Sequence, residues 1–209
     1  MPASNKQQYG IPFPGTFMLD RTGAVTSRYF EQAYQERTAM STVMVRLGQT
    51  IRAEATRAKG SYLELTTYAT DQVAAPGTHF SVVMDVKPAS KVHVYAPGVT
   101  GYKPIALRID AQPGLVVRDA QFPAPEDYFF APLEEHVAVY SKPFRIVQDL
   151  MIDPSPQAAK TLEGMTSLTV KGVLDYQACN DKECFLPQSI PLTWTVALKP
   201  LDRERARQP

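Results

Sequence analysis

The two cysteines of the chain, Cys179 and Cys184, stand five positions apart. Thiols this close suit one local disulfide or thiol–disulfide exchange, whereas a small disulfide-stapled protein carries more of them. A tetrahedral zinc site needs two further ligands, and no histidine lies near the pair in sequence. A disulfide across so short a loop restricts the unfolded chain little and adds little stability. The spacing therefore favours redox exchange over a structural disulfide, with a metal site as the weakest alternative.

The residues between the cysteines do not decide which of the two attacks. An attacking cysteine must be a thiolate with an accessible sulfur. Lys182 favours a thiolate beside it, whereas Asp181 and Glu183 oppose one. Both cysteines therefore stand as candidate nucleophiles.

The elements around the pair indicate a β-sandwich. From about residue 61 onward, short apolar runs alternate with Pro/Gly turns, a pattern typical of a sandwich of about 140 residues. One predicted strand precedes the cysteines, and another, which contains the only Trp, follows them. The predicted strands cover residues 62–68, 79–86, 91–95, 105–110, 137–140, 144–150, 167–176 and 192–198.

The first fifty residues have a different character. Residues 16–19 and 25–30 are predicted as a hairpin around the turn 20–23, where Gly23 supplies the positive φ. Residues 38–48 are predicted as a helix with one apolar face, formed by Met40, Val43, Met44 and Leu47. Residues 49–60 are charged and alanine-rich, so we interpret them as a linker, with a helix as the alternative.

The composition excludes several classes of function. The net charge is +1, from 22 Lys and Arg against 21 Asp and Glu, which gives no basic surface for nucleic acid or an anionic membrane. No apolar run approaches the length of about 18 residues that a membrane span needs. No phosphate-binding or metal motif stands out, so no cofactor and no metal are expected. The dispersed histidines, His79, His93 and His136, are expected to be ordinary surface or core residues.

The cysteine motif is similar to a known family. Tyr-Gln-Ala-Cys at 176–179, a short polar loop, and Cys-Phe-Leu-Pro at 184–187 resemble the N-terminal domain of the thiol:disulfide interchange protein DsbD. The resemblance covers about residues 62–198 and includes His-Val-Tyr at 93–95 and Val-Tyr at 139–140. It implies an immunoglobulin-like β-sandwich in the periplasm. Cys179 and Cys184 would be the catalytic pair of a thiol:disulfide oxidoreductase, with a thioredoxin-like protein and oxidised substrate proteins as partners.

The same resemblance implies an aromatic cap over the cysteines. Residues 127–132, Asp-Tyr-Phe-Phe-Ala-Pro, match the flexible cap loop of the family. Phe129 or Phe130 is expected to be the cap, with Tyr128 beside it; sandwich core is the alternative for these rings. An apolar lid limits access to the sulfurs and thereby the exchange rate. Tyr95 and Tyr176 are further candidates, either for lining the site or for simple strand positions.

Residues 9–20 resemble the second half of a thioredoxin-like redoxin domain of the AhpC/TSA type. By this resemblance Pro14 matches the cis-proline that faces the redox cysteine, and helix 38–48 matches the last helix of that fold. The catalytic cysteine of the family lies upstream of that proline, and this chain has no cysteine before residue 179. Residues 1–50 are therefore expected to be a remnant without catalytic function or, alternatively, to dock on the sandwich.

The expected organisation follows from both resemblances. A redoxin fragment at 1–48 and a linker at 49–60 precede the sandwich at 61–200 and a charged tail at 201–209. Residues 1–10 have no apolar stretch, so no signal peptide is expected in this chain and its start is expected to be truncated. The predicted function is electron transfer by thiol–disulfide exchange. The alternative is a protein-interaction sandwich with a structural disulfide.

Overall fold

A computed structural model describes residues 15–30, 37–49, 54–130 and 134–199. The predicted cis-proline, Pro14, lies outside these residues, as do the charged tail and the end of the predicted cap, Ala131 and Pro132. The strands are β1 (Gly15–Leu19), β2 (Val25–Phe30), β3 (Arg37–Thr38), β4 (Thr56–Lys59), β5 (Leu63–Ala69), β6 (Val73–Ala74), β7 (Thr78–Pro88), β8 (His93–Tyr95), β9 (Ala106–Ile109), β10 (Leu115–Gln121), β11 (Glu126–Phe130), β12 (Glu135–Tyr140), β13 (Phe144–Ile152), β14 (Ser167–Tyr176), β15 (Ala178–Cys179) and β16 (Gln188–Leu198). The helices are α1 (Met40–Arg46) and α2 (Pro156–Thr161).

The predicted β-sandwich is confirmed. One sheet has the order β10–β13–β7–β5–β4, with β3 paired to β7. The others have the orders β6–β16–β14–β9 and β11–β12–β8–β15. The predicted N-terminal hairpin is also present, as the two-stranded sheet β1–β2, and its turn is closed by the Asp20 carboxylate, which accepts hydrogen bonds from the N–H groups of Thr22 and Ala24. The redoxin assignment of this segment remains a prediction.

One main core lies between the layers and takes alternate residues of β14 and β16 on one side and of β7 on the other. This alternation has the period of two that places one face of a strand against a core. The opposite face of β7 is buried as well, because α1 covers it. The Trp194 indole N–H on β16 donates to Thr67 Oγ1 on β5 over 2.8 Å and so links opposing layers. The buried members on β7, β14 and β16 are Phe80, Val82, Met84, Val86, Leu168, Val170, Leu174, Tyr176, Ile190, Leu192, Trp194 and Val196.

Helix α1 covers the outer face of the sheet that contains β7. Val45 packs there with Tyr68, Val83 and Val147. The helix is shorter than predicted, and its buried residues are Thr42, Val43 and Val45.

The predicted apolar face of α1 is wrong at three of its four positions, because Met40, Met44 and Leu47 are 66%, 38% and 41% exposed. The buried side of the helix carries Val43 and Val45 together with polar contacts. Arg46 forms a salt bridge with Asp149, and the hydroxyl of Thr42 lies 3.3 Å from that of Thr70. Residues 37–49 therefore pack on the sandwich, as the docking alternative expects.

The stretch interpreted as a linker contains strand β4, which pairs with β5 at the edge of the sheet from Thr56–Thr67 to Lys59–Glu64. Its sequence, Thr-Arg-Ala-Lys, carries one small apolar residue, Ala58, which packs against the main core. A charged edge strand of this kind has no apolar alternation to reveal it. The alternative of a helix for 49–60 is therefore wrong over residues 56–59.

Candidate redox site

A tight hairpin holds the two cysteines opposite each other. Cys179 and Cys184 form a disulfide with a Cα–Cα distance of 4.0 Å and face each other as an antiparallel bridge. The side chain of Asn180 fixes the turn between them: its Oδ1 accepts hydrogen bonds from the N–H groups of Lys182 and Glu183, at 2.8 and 2.9 Å. The Asn180 N–H also donates to the Glu183 carbonyl over 2.9 Å. The polar loop thus positions both sulfurs by local hydrogen bonds.

The disulfide lies on the outer face of the four-stranded sheet β11–β12–β8–β15. In this sheet Ala178 pairs with Val94, and both belong to the main core. The next pair, Cys179 and His93, must point to the opposite face, because successive strand residues alternate. Cys179 therefore belongs to a separate apolar cluster, which consists of Tyr95, Val137, Val139 and Cys179.

The two cysteines differ in accessibility. Cys179 is 1% exposed, whereas Cys184 is exposed. The hydroxyl of Tyr95 lies 3.4 Å from Cys184 Sγ, and it is the donor because a disulfide sulfur carries no proton. Burial of Tyr95 raises the pKa of its phenol far above the ordinary value, and the nearby Tyr102 adds a smaller effect in the same direction. The donor therefore stays neutral.

The predicted cap begins as a strand, and its register separates the three aromatics. Tyr128 and Phe130 stack at a centroid distance of 6.5 Å on the face that carries the cysteines. Tyr128 packs against His93 at 4.5 Å, and its hydroxyl donates to Asp181 Oδ1 over 2.8 Å. Phe129 lies on the opposite face beside its cross-strand partner His136, at 5.0 Å, and is 51% exposed. Of the three predicted cap aromatics, Tyr128 is therefore the one whose hydroxyl is hydrogen-bonded to the cysteine hairpin.

Tyr176 lies apart from this cluster. It is fully buried in the main core, and its hydroxyl donates to Gln188 Oε1 over 2.7 Å. Of its two predicted alternatives, the structure places it at the end of a strand. Tyr102 joins the site instead, although no pattern in the sequence singled it out. Its ring stacks on Tyr95 at 4.2 Å, and its hydroxyl donates to the Glu135 carboxylate.

His93 is the second residue that sequence reasoning missed. It is 5% exposed, lies directly opposite Cys179 and packs edge-on against Tyr95 at 5.5 Å. Burial lowers the pKa of its imidazole, and the Asp181 carboxylate only partly opposes this effect. The sequence does contain a signal that places His93 beside Tyr95, because residues two apart in a strand share a face. His93 and Tyr95 stand two apart in the predicted strand 91–95.

The described residues contain no group of three or more His, Cys, Asp or Glu side chains arranged to hold a metal ion. None of the helices in the described part of the chain combines the length and the apolar character that a bilayer span requires.

Comparison with known proteins identifies a family whose sequence pattern includes the cysteine hairpin. The sequence model of the family described as thiol:disulfide interchange protein DsbD, N-terminal, matches residues 64–193, which include both cysteines. Among solved structures, the N-terminal periplasmic domain of ScsB from Proteus mirabilis is similar at 15% identity and a TM-score of 0.46. The match covers 68% of this chain and 51% of that domain, so the chain spans about half of its length.

A second similar structure is AggA, the major subunit of aggregative adherence fimbriae type I from Escherichia coli. Its identity is 11% and its TM-score 0.31, with 69% of this chain and 99% of that chain covered. No curated protein matches the sequence.

Proposed function

The chain belongs to the family of DsbD N-terminal domains, and from this premise we propose that its cysteine pair passes electrons between a thioredoxin-like partner and oxidised proteins by thiol–disulfide exchange. One observation carries the proposal: a disulfide whose two halves are unequal, with Cys179 buried and Cys184 exposed. A partner can reach one sulfur, while the other stays protected within the same hairpin. A compartment that maintains disulfides suits this chemistry, so we assign the domain to the periplasm.

From their unequal burial we infer the roles of the two thiols. In the reduced domain, the Cys184 thiolate attacks a disulfide of the oxidised partner, and one partner sulfur leaves as a thiolate. Cys179 then attacks Cys184 Sγ within the mixed disulfide, and the second partner sulfur leaves. The partner gains two electrons and the domain returns to the Cys179–Cys184 disulfide. A thioredoxin-like donor reduces the domain again by the same steps in reverse.

Tyr95 supports the attacking sulfur. Its hydroxyl lies 3.4 Å from Cys184 Sγ and is held in place by the stacked ring of Tyr102. Because hydrogen bonds to an anion stabilise the charged form, this contact favours the Cys184 thiolate. Tyr95 is 4% exposed, so its donor is fixed before a partner arrives.

Tyr128, with Phe130 beside it, is the cover of the site. Its hydrogen bond to Asp181 ties strand β11 to the turn of the cysteine hairpin. The bond lies at the surface, where the net contribution of one hydrogen bond is about 1 kcal/mol. A docking partner can therefore displace the cover at small cost, while the closed position limits access by small thiols.

The reduction potential of the pair tests this function. Thiol trapping across a series of glutathione and dithiothreitol buffers gives the midpoint for the intact chain. We expect a value between about −180 and −270 mV, the range of known exchange proteins. A midpoint well below about −300 mV, or thiols that never pair, would instead identify a structural or idle cysteine pair in a protein-interaction sandwich.

A further inference from the structure

We propose that His93 accepts the proton of the Cys179 thiol when Cys179 closes the disulfide. The proposal rests on the exchange function above and assigns a residue to its second step. In that step the S–H bond of Cys179 breaks, and its proton moves to the His93 imidazole. The sulfur electron pair forms the bond to Cys184 Sγ, and the bond between Cys184 and the partner breaks toward the partner sulfur.

The register of the sheet places His93 beside Cys179. The two residues are directly opposite each other in the antiparallel pair β8–β15. Side chains in such pairs point to the same face, with Cβ atoms about 4.5–5.5 Å apart. Both residues are buried, with exposures of 5% and 1%. The imidazole is therefore a neighbour of the resolving thiol and not of bulk water.

The surroundings of Cys179 create the need for a base. Its cluster partners are Tyr95, Val137 and Val139, and none of these side chains is charged at neutral pH. A thiolate in such a site is disfavoured, because burial raises the cost of the charged form. Transfer of the proton to an adjacent imidazole at the moment of attack avoids a free buried thiolate.

The groups that face His93 leave its ring available for this transfer. Tyr95 and Tyr128 pack against the ring, Cys179 lies across the ladder, and the Asp181 carboxylate acts from the hairpin turn. Burial, against the opposing charge of Asp181, keeps the imidazole pKa below its ordinary value of 6.5. His93 is therefore neutral, and able to accept a proton, at pH 7.

The sign of the pH dependence follows from this protonation state. Above the pKa of His93 the imidazole is neutral and resolution proceeds. As the pH falls through that pKa, the imidazolium accumulates and can no longer accept the Cys179 proton, so resolution slows. In the opposite direction, when the disulfide is reduced, the imidazolium returns the proton to the departing Cys179 sulfur.

A chromogenic disulfide separates the two steps of exchange. Reduced full-length chain is mixed with 5,5′-dithiobis(2-nitrobenzoate), and thionitrobenzoate release is followed in a stopped-flow instrument between pH 5 and 9. The first equivalent reports attack by Cys184. The second, at a rate independent of reagent concentration, reports closure by Cys179. Cys179→Ala should release one equivalent only.

The variants His93→Phe and His93→Gln test the proton acceptor, and His136→Gln is the matched control. His136 is an exposed histidine of the neighbouring strand β12, on the opposite face beside Phe129. We expect the closure rate of the wild type and of His136→Gln to be level from pH 7 to 8 and to fall below the His93 pKa. Both His93 variants should close about 100-fold more slowly at pH 7, with a rate that rises about tenfold per pH unit as the Cys179 thiolate accumulates.

Three results would overturn the proposal. If both His93 variants close with the pH profile of the wild type, His93 is not the acceptor, although exchange itself stands. If His136→Gln reproduces the His93 phenotype, the effect is not specific to the ladder partner of Cys179. If the wild type releases no second equivalent, the exchange function fails and the role of His93 falls with it.

Discussion

Two outer sheet faces of this molecule are covered, and they are covered in different ways. The helix face, where Val45 of α1 packs on Tyr68, Val83 and Val147, is completed by a salt bridge from Arg46 to the nearly buried Asp149. Ser81 adds a hydrogen bond of 2.6 Å to the same carboxylate. These contacts attach helix α1 to the sandwich.

The cysteine face, which carries His93, Tyr95 and Cys179, is covered by the ring of Tyr128, whose hydroxyl donates a surface hydrogen bond to Asp181. Its outer sulfur-bearing residue, Cys184, remains exposed. This difference in contacts indicates that α1 is a permanent cover and that the aromatic cover of the cysteines can open. An ion pair at a nearly buried carboxylate is costly to break because a charge is left without its partner, whereas stacked rings can slide apart.

Among substitutions in the two covers, Arg46→Ala should produce the largest effect, and it should change stability alone. Removing the guanidinium leaves Asp149 with the Ser81 hydroxyl alone, so we expect a loss of about 2 kcal/mol, or about 30-fold in the folding equilibrium. Urea unfolding measures this change. Lys142→Ala, which removes an exposed partner of Glu126, should cost no more than about 0.5 kcal/mol.

The closure rate of the disulfide should be the same in Arg46→Ala and the wild type. A changed closure rate would show that the helix face is coupled to the cysteine face. It would contradict the view that one cover is permanent and the other opens independently of it.

Tyr128→Ala should accelerate access to the cysteine face by about tenfold, with little change in stability. The substitution removes the ring that packs on His93 and the hydrogen bond to Asp181. Reduction of the disulfide by glutathione, followed by thiol trapping, measures the access rate. Phe129→Ala is the matched control, because its ring lies on the opposite face of β11. Equal rates of reduction in Tyr128→Ala and Phe129→Ala would show that Tyr128 does not cover the disulfide.

Tyr95→Phe should slow the attack of Cys184 by about fivefold, the value of one hydrogen bond of about 1 kcal/mol. The ring and its stacking on Tyr102 remain, and only the donor to Cys184 Sγ is lost. The rate of the first thionitrobenzoate release measures the effect. Tyr102→Phe should leave this rate unchanged, since its hydroxyl contacts Glu135 and not sulfur. An unchanged rate in Tyr95→Phe would mean that the contact does not stabilise the thiolate.

Much of the fold was predictable because its signals are local. The alternation of Phe80, Val82 and Met84 reports a strand with one face in the core. The cysteine pair was predictable for the same reason, since the hairpin closes within six residues. The contacts of α1 were not, because Asp149 lies more than one hundred positions from Arg46.

The details of the site depend on pairing between distant strands. The choice among Tyr128, Phe129 and Phe130 follows from the register of β11 with β12, which the sequence does not state. The burial of Cys179 follows from the pairing of β15 with β8. Thus the pairing of the two cysteines could be predicted from the sequence, whereas the unequal burial of their side chains could not.

Single-cysteine variants test the central claim, that exposed Cys184 attacks and buried Cys179 resolves. Cys179→Ala and Cys184→Ala are each incubated with the oxidised form of a thioredoxin, and covalent complexes are separated by non-reducing electrophoresis and identified by mass spectrometry. We expect Cys179→Ala to accumulate a mixed disulfide through Cys184, and Cys184→Ala to form none. Equal trapping by both variants, or trapping through Cys179 alone, would contradict the account.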